Sequence, residues 1–166
     1  VVVRINGLDT SWGRDDLEVA LSAKPDAVLV PKVSTPQDLV RVRQITSGTV
    51  PLWAMMETPL AILSSLSIAQ SRLGAVPEFS AMVIGTNDLA KETRTALMPG
   101  RTSYLPWLMQ CIAAARCGGL DIMDGVYNNF SDPAGFDDEC MHGREIGMDG
   151  KTLIHPSQIE SANRFF

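Results

Sequence analysis

No run of about 18 consecutive apolar residues occurs in the chain, so no membrane-spanning helix is expected. No signal-peptide pattern is visible at the start. Lysine and arginine total 14 against 19 aspartates and glutamates, giving a formal net charge of −5. Without a basic stripe or cluster, nucleic acid is not an expected partner. The acidic balance does not exclude an anionic small molecule, because a local pocket can be basic on an acidic protein. Cysteine is scarce: Cys111, Cys117 and Cys140 are odd in number and none shows C-x-x-C spacing. A disulfide framework and a zinc site are therefore not expected. The three read as reduced thiols of a cytoplasmic protein, with Cys111 and Cys117 on one helix. There is no GxGxxG turn, no Walker loop and no Ser/His/Asp or Cys/His arrangement for nucleophilic catalysis. Of the two histidines, His142 in DDECMHGR reads as an exposed helix residue, and His155 in LIHPSQI as a turn residue before Pro156.

What is present is regular. The 166 residues suit a single domain, 1–166, which at this size buries roughly two-thirds of its unfolded surface. Six short apolar runs stand out: VVVRIN (1–6), AVLVPKV (27–33), VPLWAMME (50–57), AMVIGTND (81–88), LDIMDGVY (120–127) and KTLIH (151–155). They hardly alternate, which is the pattern of strands buried on both faces of a parallel sheet. Helical spacing fills the intervals: Asp15–Ala23, Pro36–Gln44, Pro59–Leu73 with proline in its first turn, and Tyr104–Arg116 halted by Gly118-Gly119. Strand, helix, strand in alternation argues α/β.

Every run finishes in polar or special residues. These are Arg4 and Asn6; Pro31 and Lys32; Glu57; Thr86, Asn87 and Asp88; Asp124 and Gly125; His155 and Pro156. In a (β/α)₈ barrel the active site sits at the C-terminal ends of the strands. Such a barrel typically takes about 250 residues. Six units therefore read either as an open six-stranded sheet or as a barrel lacking two units, and a start at Val rather than Met favours the second.

Glu57 ends the most apolar run, in LWAMMETP. A buried, unpaired carboxylate costs several kcal/mol or gives up its charge, so Glu57 needs a partner. Asp88 closes the next strand, and two adjacent carboxylates repel unless a cation lies between them. Mg²⁺ is commonly held by one or two carboxylates plus water and substrate oxygens. Two separate surface acids or helix caps would fit the spacing equally well. Arg4, inside an apolar strand, faces either solvent or an anion, and its planar fork suits a carboxylate. Lys32 reads as a surface lysine. Asp124 reads as a turn former before Gly125, with a supporting acid as the second option.

The ordered set VVVRING, VLVPKV, LWAMMETP, VIGTNDLAKE, DIMDGVYNNFSDPAGF and GMDGKTLIHPSQI resembles the HpcH/HpaI aldolase and citrate lyase β-subunit family, on its acyl-CoA lyase side. Each motif is loose alone, but the six in order are specific and span the chain. The resemblance implies an oligomeric, Mg²⁺-dependent TIM-type (β/α)₈ barrel, Mn²⁺ being an alternative ion. The present chain would supply strands three to eight as an incomplete barrel. It implies that Glu57 and Asp88 ligate the metal, that Arg4 binds the substrate's carboxylate or carbonyl oxygen, and that Gly85, Thr86, Asn87 and Asp88 border a 2-oxo acid. Ile154, His155 and Pro156 would border the CoA thioester arm. The family's general base has no assigned counterpart here, and its two opening strands and C-terminal lid are not in this sequence. The reaction implied is reversible carbon–carbon cleavage of a malyl-, citramalyl- or citryl-CoA-like thioester to a 2-oxo acid and acetyl-CoA or a homologue.

Three other readings remain open: a CoA-independent class II pyruvate aldolase, a malyl-CoA thioesterase, and an inactive truncated barrel serving as an interaction subunit. The DGVYNNFSDPAGF and GKTLIHP segments favour the CoA side by resemblance. A stable folded product with no upstream coding sequence would favour the interaction subunit.

Overall fold

Six parallel strands lie side by side in the order in which they occur in the chain. The computed structural model describes residues Val1–Phe166. The strands are β1 (Val2–Arg4), β2 (Ala27–Val30), β3 (Leu52–Met56), β4 (Phe79–Ile84), β5 (Asp121–Asp124) and β6 (Gly150–Lys151). Register pairs such as Val3 with Val28, Leu29 with Trp53, Met55 with Val83 and Met82 with Ile122 run across the sheet. A doubly wound sheet reverses its strand order at a switch point, and this sheet never reverses. Sequential order is the order of a barrel wall, so the architecture is an incomplete α/β barrel.

The helices are α1 (Gly13–Ser22), α2 (Pro36–Thr46), α3 (Pro59–Leu63), α4 (Ser65–Gln70), α5 (Thr86–Thr93), α6 (Leu105–Gly118), α7 (Pro133–Ile146) and α8 (Ile159–Phe165). None is long and apolar enough to cross a membrane. Leu17, Leu39, Ile68 and Leu108 reach from helices into one apolar core with Val28, Leu52, Met82 and Ile122 of the strands. Local chemistry sets the ends. Pro36 opens α2, while the Asp38 carboxylate accepts from the N–H groups of Ser34 and Thr35 at 3.0 and 2.8 Å. Gly119 closes α6 at φ +65°.

Several boundaries differ from expectation. The stretch 59–73 is not one helix. It breaks at Ser64 (φ −98°, ψ 5°) into α3 and α4 and ends in a 3₁₀ turn, Ser71–Leu73. Serines compete for backbone groups, and Ser67 Oγ donates to the Ser64 carbonyl at that point. The last strand stops at Lys151 instead of running to His155. Its next residue, Thr152, still donates to the Asp124 carbonyl through both N–H and Oγ1 but is no longer strand.

Candidate metal and substrate site

Glu57 directly follows β3 and is only 3% exposed. The N–H of Lys32, just past β2, donates to its Oε1 at 2.9 Å. Lys32 itself has φ +50°, a left-handed conformation uncommon for a side-chain-bearing residue, and its ammonium is exposed as expected. Asp88 lies in the first turn of α5, beyond β4, close enough for its carboxylate to act on Glu57. Burial pushes the Glu57 carboxyl above its ordinary value. The charge and hydrogen bond of Asp88 push the same way, against the Lys32 N–H and the positive charge of Arg4. Arg4 ends β1, exposed and two strands away, and its charge is felt at Glu57.

Gly85 makes this proximity possible. A Cβ there would sit 2.4 Å from Glu57 Cβ and 2.7 Å from its Oε2, so any larger residue would drive the two strand ends apart. Thr86 is buried beside it. Asn87 is exposed and forms a double amide bridge with Asn128, at 3.1 and 2.8 Å. A cavity of about 400 Å³ opens alongside, walled by Thr86, Arg101, Tyr127, Asn128 and His142.

The structure thus brings Arg4, Glu57, Gly85, Thr86, Asn87 and Asp88 to one end of the sheet. No group of three or more acidic, histidine or cysteine side chains gathers as a metal cage. Two neighbouring carboxylates, one of them buried, suit Mg²⁺, which usually takes one or two carboxylates and completes its octahedron with water and substrate oxygens. Ile154, His155 and Pro156 are exposed and contact other residues. His155 caps the 3₁₀ turn Pro156–Gln158, accepting from Ser157 N–H, and its ring stacks on Phe130 at 4.9 Å. It is the turn residue that the sequence suggests, though not at a strand end.

Two expectations are corrected. Of the two readings of Asp124 the preferred one, a turn former, gives way to the second, a supporting acid: it is fully buried and holds a network whose other members the sequence did not reveal. Arg101 Nη1 donates to both its oxygens at 2.7 Å, and Lys151 Nζ donates to Oδ2 at 3.2 Å. Lys151 also reaches Glu139 Oε1 at 2.7 Å and the Gly125 carbonyl at 2.6 Å. His142 lies on helix α7 as expected but is half-buried rather than exposed, its Nδ1 2.8 Å from Arg101 Nη2. Arg101 follows a Pro-Gly turn and Lys151 closes a two-residue strand, so neither carries a periodic signal. The apolar run that ends at Asp124 was the one available hint that this acid is buried.

The HpcH/HpaI aldolase/citrate lyase family model matches residues 1–156. The chain belongs to that family. Within the family, the (3S)-malyl-CoA thioesterase of Cereibacter sphaeroides (strain ATCC 17025 / ATH 2.4.3) is 50% identical over 165 residues, covering 99% of this chain and 56% of the relative. The citrate lyase subunit beta of Escherichia coli (strain K12) is 32% identical over 175 residues, covering 99% of this chain and 57% of the relative. The chain therefore spans little more than half the length of these family members. Among solved structures, CitE from Mycobacterium tuberculosis in complex with magnesium, acetoacetate and coenzyme A superposes with a TM-score of 0.84 at 24% identity, covering 99% of this chain and 60% of that one. At that identity the likeness speaks for the family's fold.

Proposed function

We propose that this chain carries the metal- and 2-oxo-acid-binding half of a Mg²⁺-dependent carbon–carbon lyase acting on a 3-hydroxyacyl-CoA of the malyl-, citramalyl- or citryl-CoA type. The observation that carries the reading is the buried Glu57 with the Asp88 carboxylate acting on it, two neighbouring acids that suit a cation, and the positive charge of Arg4 felt at the same place. Glu57 and Asp88 would hold Mg²⁺, and the ion when bound would supply electrostatic stabilisation of negative charge developing on the substrate's oxygens. The Lys32 N–H fixes the orientation of the Glu57 carboxylate. The Arg4 guanidinium pairs with the substrate's carboxylate through its planar fork. The free N–H groups of the first turn of α5, at Thr86–Asp88, face the same end and favour an anionic group there. A 2-oxo acid lying between Arg4 and this turn would be oriented by both. CoA binding rests on the relatives: the M. tuberculosis CitE complex includes coenzyme A, and Ile154–Pro156 remain the proposed neighbours of the thioester arm.

A second reading, malyl-CoA thioesterase, is favoured by the relative of that name at 50% identity. The same site would then serve hydrolysis of the thioester. Product analysis separates the two: a lyase releases a 2-oxo acid and an acyl-CoA, whereas a thioesterase releases free CoA and a hydroxy acid. The test of the shared site is calorimetric titration with Mg²⁺, with and without pyruvate or glyoxylate, on this chain and on Glu57→Gln. Binding that strengthens with the 2-oxo acid and is abolished in the variant is expected. A folded wild-type chain that takes up no Mg²⁺ under either condition would overturn the reading.

A further inference from the structure

Beyond the carboxylate pair itself, we infer that the buried ion network at the end of β5 positions Asp88 for metal binding, acting through Gly125 and Thr86. The inference rests on the metal reading above and assigns it new residues: Asp124, Gly125, Asn128 and Lys151.

The chain of contact is short. Gly125 is gripped on both sides: its N–H donates to Asp124 Oδ1 at 2.8 Å, and its carbonyl accepts from Lys151 Nζ at 2.6 Å. Arg101 and Glu139 hold those two side chains in turn, at 2.7 Å each. The gripped residue abuts the base of α5. A Cβ on Gly125 would lie 2.9 Å from both Oγ1 and Cγ2 of Thr86 and 3.1 Å from the Ile84 carbonyl. Thr86 is 5% exposed and stands two residues before Asp88 in the same helical turn. Its β-branched side chain has no escape, because rotating χ1 leaves at least one γ atom facing Gly125. On the solvent side, the Asn87–Asn128 double bridge joins the same two loops. The first turn of α5 is therefore fixed from inside and outside by the loop after β5, while Gly85 presses its other flank against Glu57. Residues that orient metal ligands without touching the ion commonly change metal affinity by roughly 10–100-fold.

These are positioning residues, so the decisive readout is metal affinity compared with metal-free stability. Mn²⁺ serves as the probe in place of Mg²⁺, since both favour carboxylate and water ligands, and free Mn²⁺ is counted by electron paramagnetic resonance. Gly125→Ala is expected to weaken Mn²⁺ binding roughly tenfold. The double variant Thr86→Ala/Gly125→Ala vacates the space that the new methyl needs and is expected to recover most of that loss. Asn128→Ala, an exposed change that leaves every buried charge paired, is expected to weaken binding severalfold with an unchanged metal-free melting temperature. Wild-type binding that Glu57→Gln abolishes would uphold the metal reading independently. Against that background, equal affinity in wild type, Gly125→Ala and Asn128→Ala would overturn the positioning role alone. If Gly125→Ala fails to fold, Asn128→Ala decides: unchanged affinity overturns the inference and weakened affinity supports it. No Mn²⁺ binding by the wild type would overturn both.

Discussion

At the scale of single residues, burial separates chemistry that is available from chemistry that is closed off. Cys111 and Cys140 are both buried, and burial pushes their thiols up to about 12 and about 11. Cys117, in the last turn of α6, is exposed. A maleimide reagent at neutral pH should therefore label Cys117 in the folded chain and reach the other two only after denaturation, which mass spectrometry of the digested adduct will show. The same contrast explains what the sequence revealed about the site. Glu57 was legible because a lone carboxylate at the end of LWAMM breaks an apolar pattern, and Arg4 was legible because a guanidinium interrupts VVVRI. Asp124 also ends an apolar run, but the Gly after it imitates a turn, so the turn was preferred over a supporting acid. Arg101, Lys151 and Glu139 become partners only through tertiary packing, and no spacing rule joins positions on three separate elements.

At the scale of elements, the network links β5, β6, α7 and the loop before α6. Asp124 and Lys151 are directly opposed in the ladder, so the pair forms by strand register alone. Breaking a buried pair by removing one partner typically costs about 3–5 kcal/mol, because the remaining charge is left without compensation. Lys151→Met should therefore lower unfolding free energy by about that amount in chemical denaturation, and Asp124→Asn should do likewise by stranding Arg101 and Lys151. Either variant melting like the wild type would show the network to be energetically idle. Existence and type of the major elements were readable because unalternated apolar runs and helical spacing differ clearly. Their ends were not. The break at Ser64 accompanies a local side-chain hydrogen bond, and the early stop of β6 at Lys151 is equally local, so periodicity registers neither.

At the scale of the whole molecule, Asp149 is one of the polar points that tie the helical layer to the sheet. Arg116 of α6 grips it with both Nη atoms at 2.8 and 2.9 Å, and the Ile122 N–H of β5 donates to it at 2.8 Å. Burial alone would raise this carboxyl; the hydrogen bonds from Arg116 and Ile122 outweigh it and hold Asp149 below its ordinary 3.8. A depressed folded-state value means that the stabilisation is fully present above 3.8 and is lost as pH falls through the lower, folded value. Because the pair is partly exposed, its contribution is modest. Asp149→Asn should lower the melting temperature by roughly 2–4 °C at neutral pH and by progressively less below pH 3.8, as scanning calorimetry across that range will register. The strictly sequential strand order has a consequence for how the molecule is made. Each strand finds its ladder partner in the segment synthesised just before it, so the wall can grow strand by strand as the chain emerges from the ribosome. Both acids of the carboxylate pair are in place once β4 and the first turn of α5 have formed, well before Lys151 is translated. The proposed site would thus be assembled early and stiffened late, with β6 acting as the bolt on a door already hung.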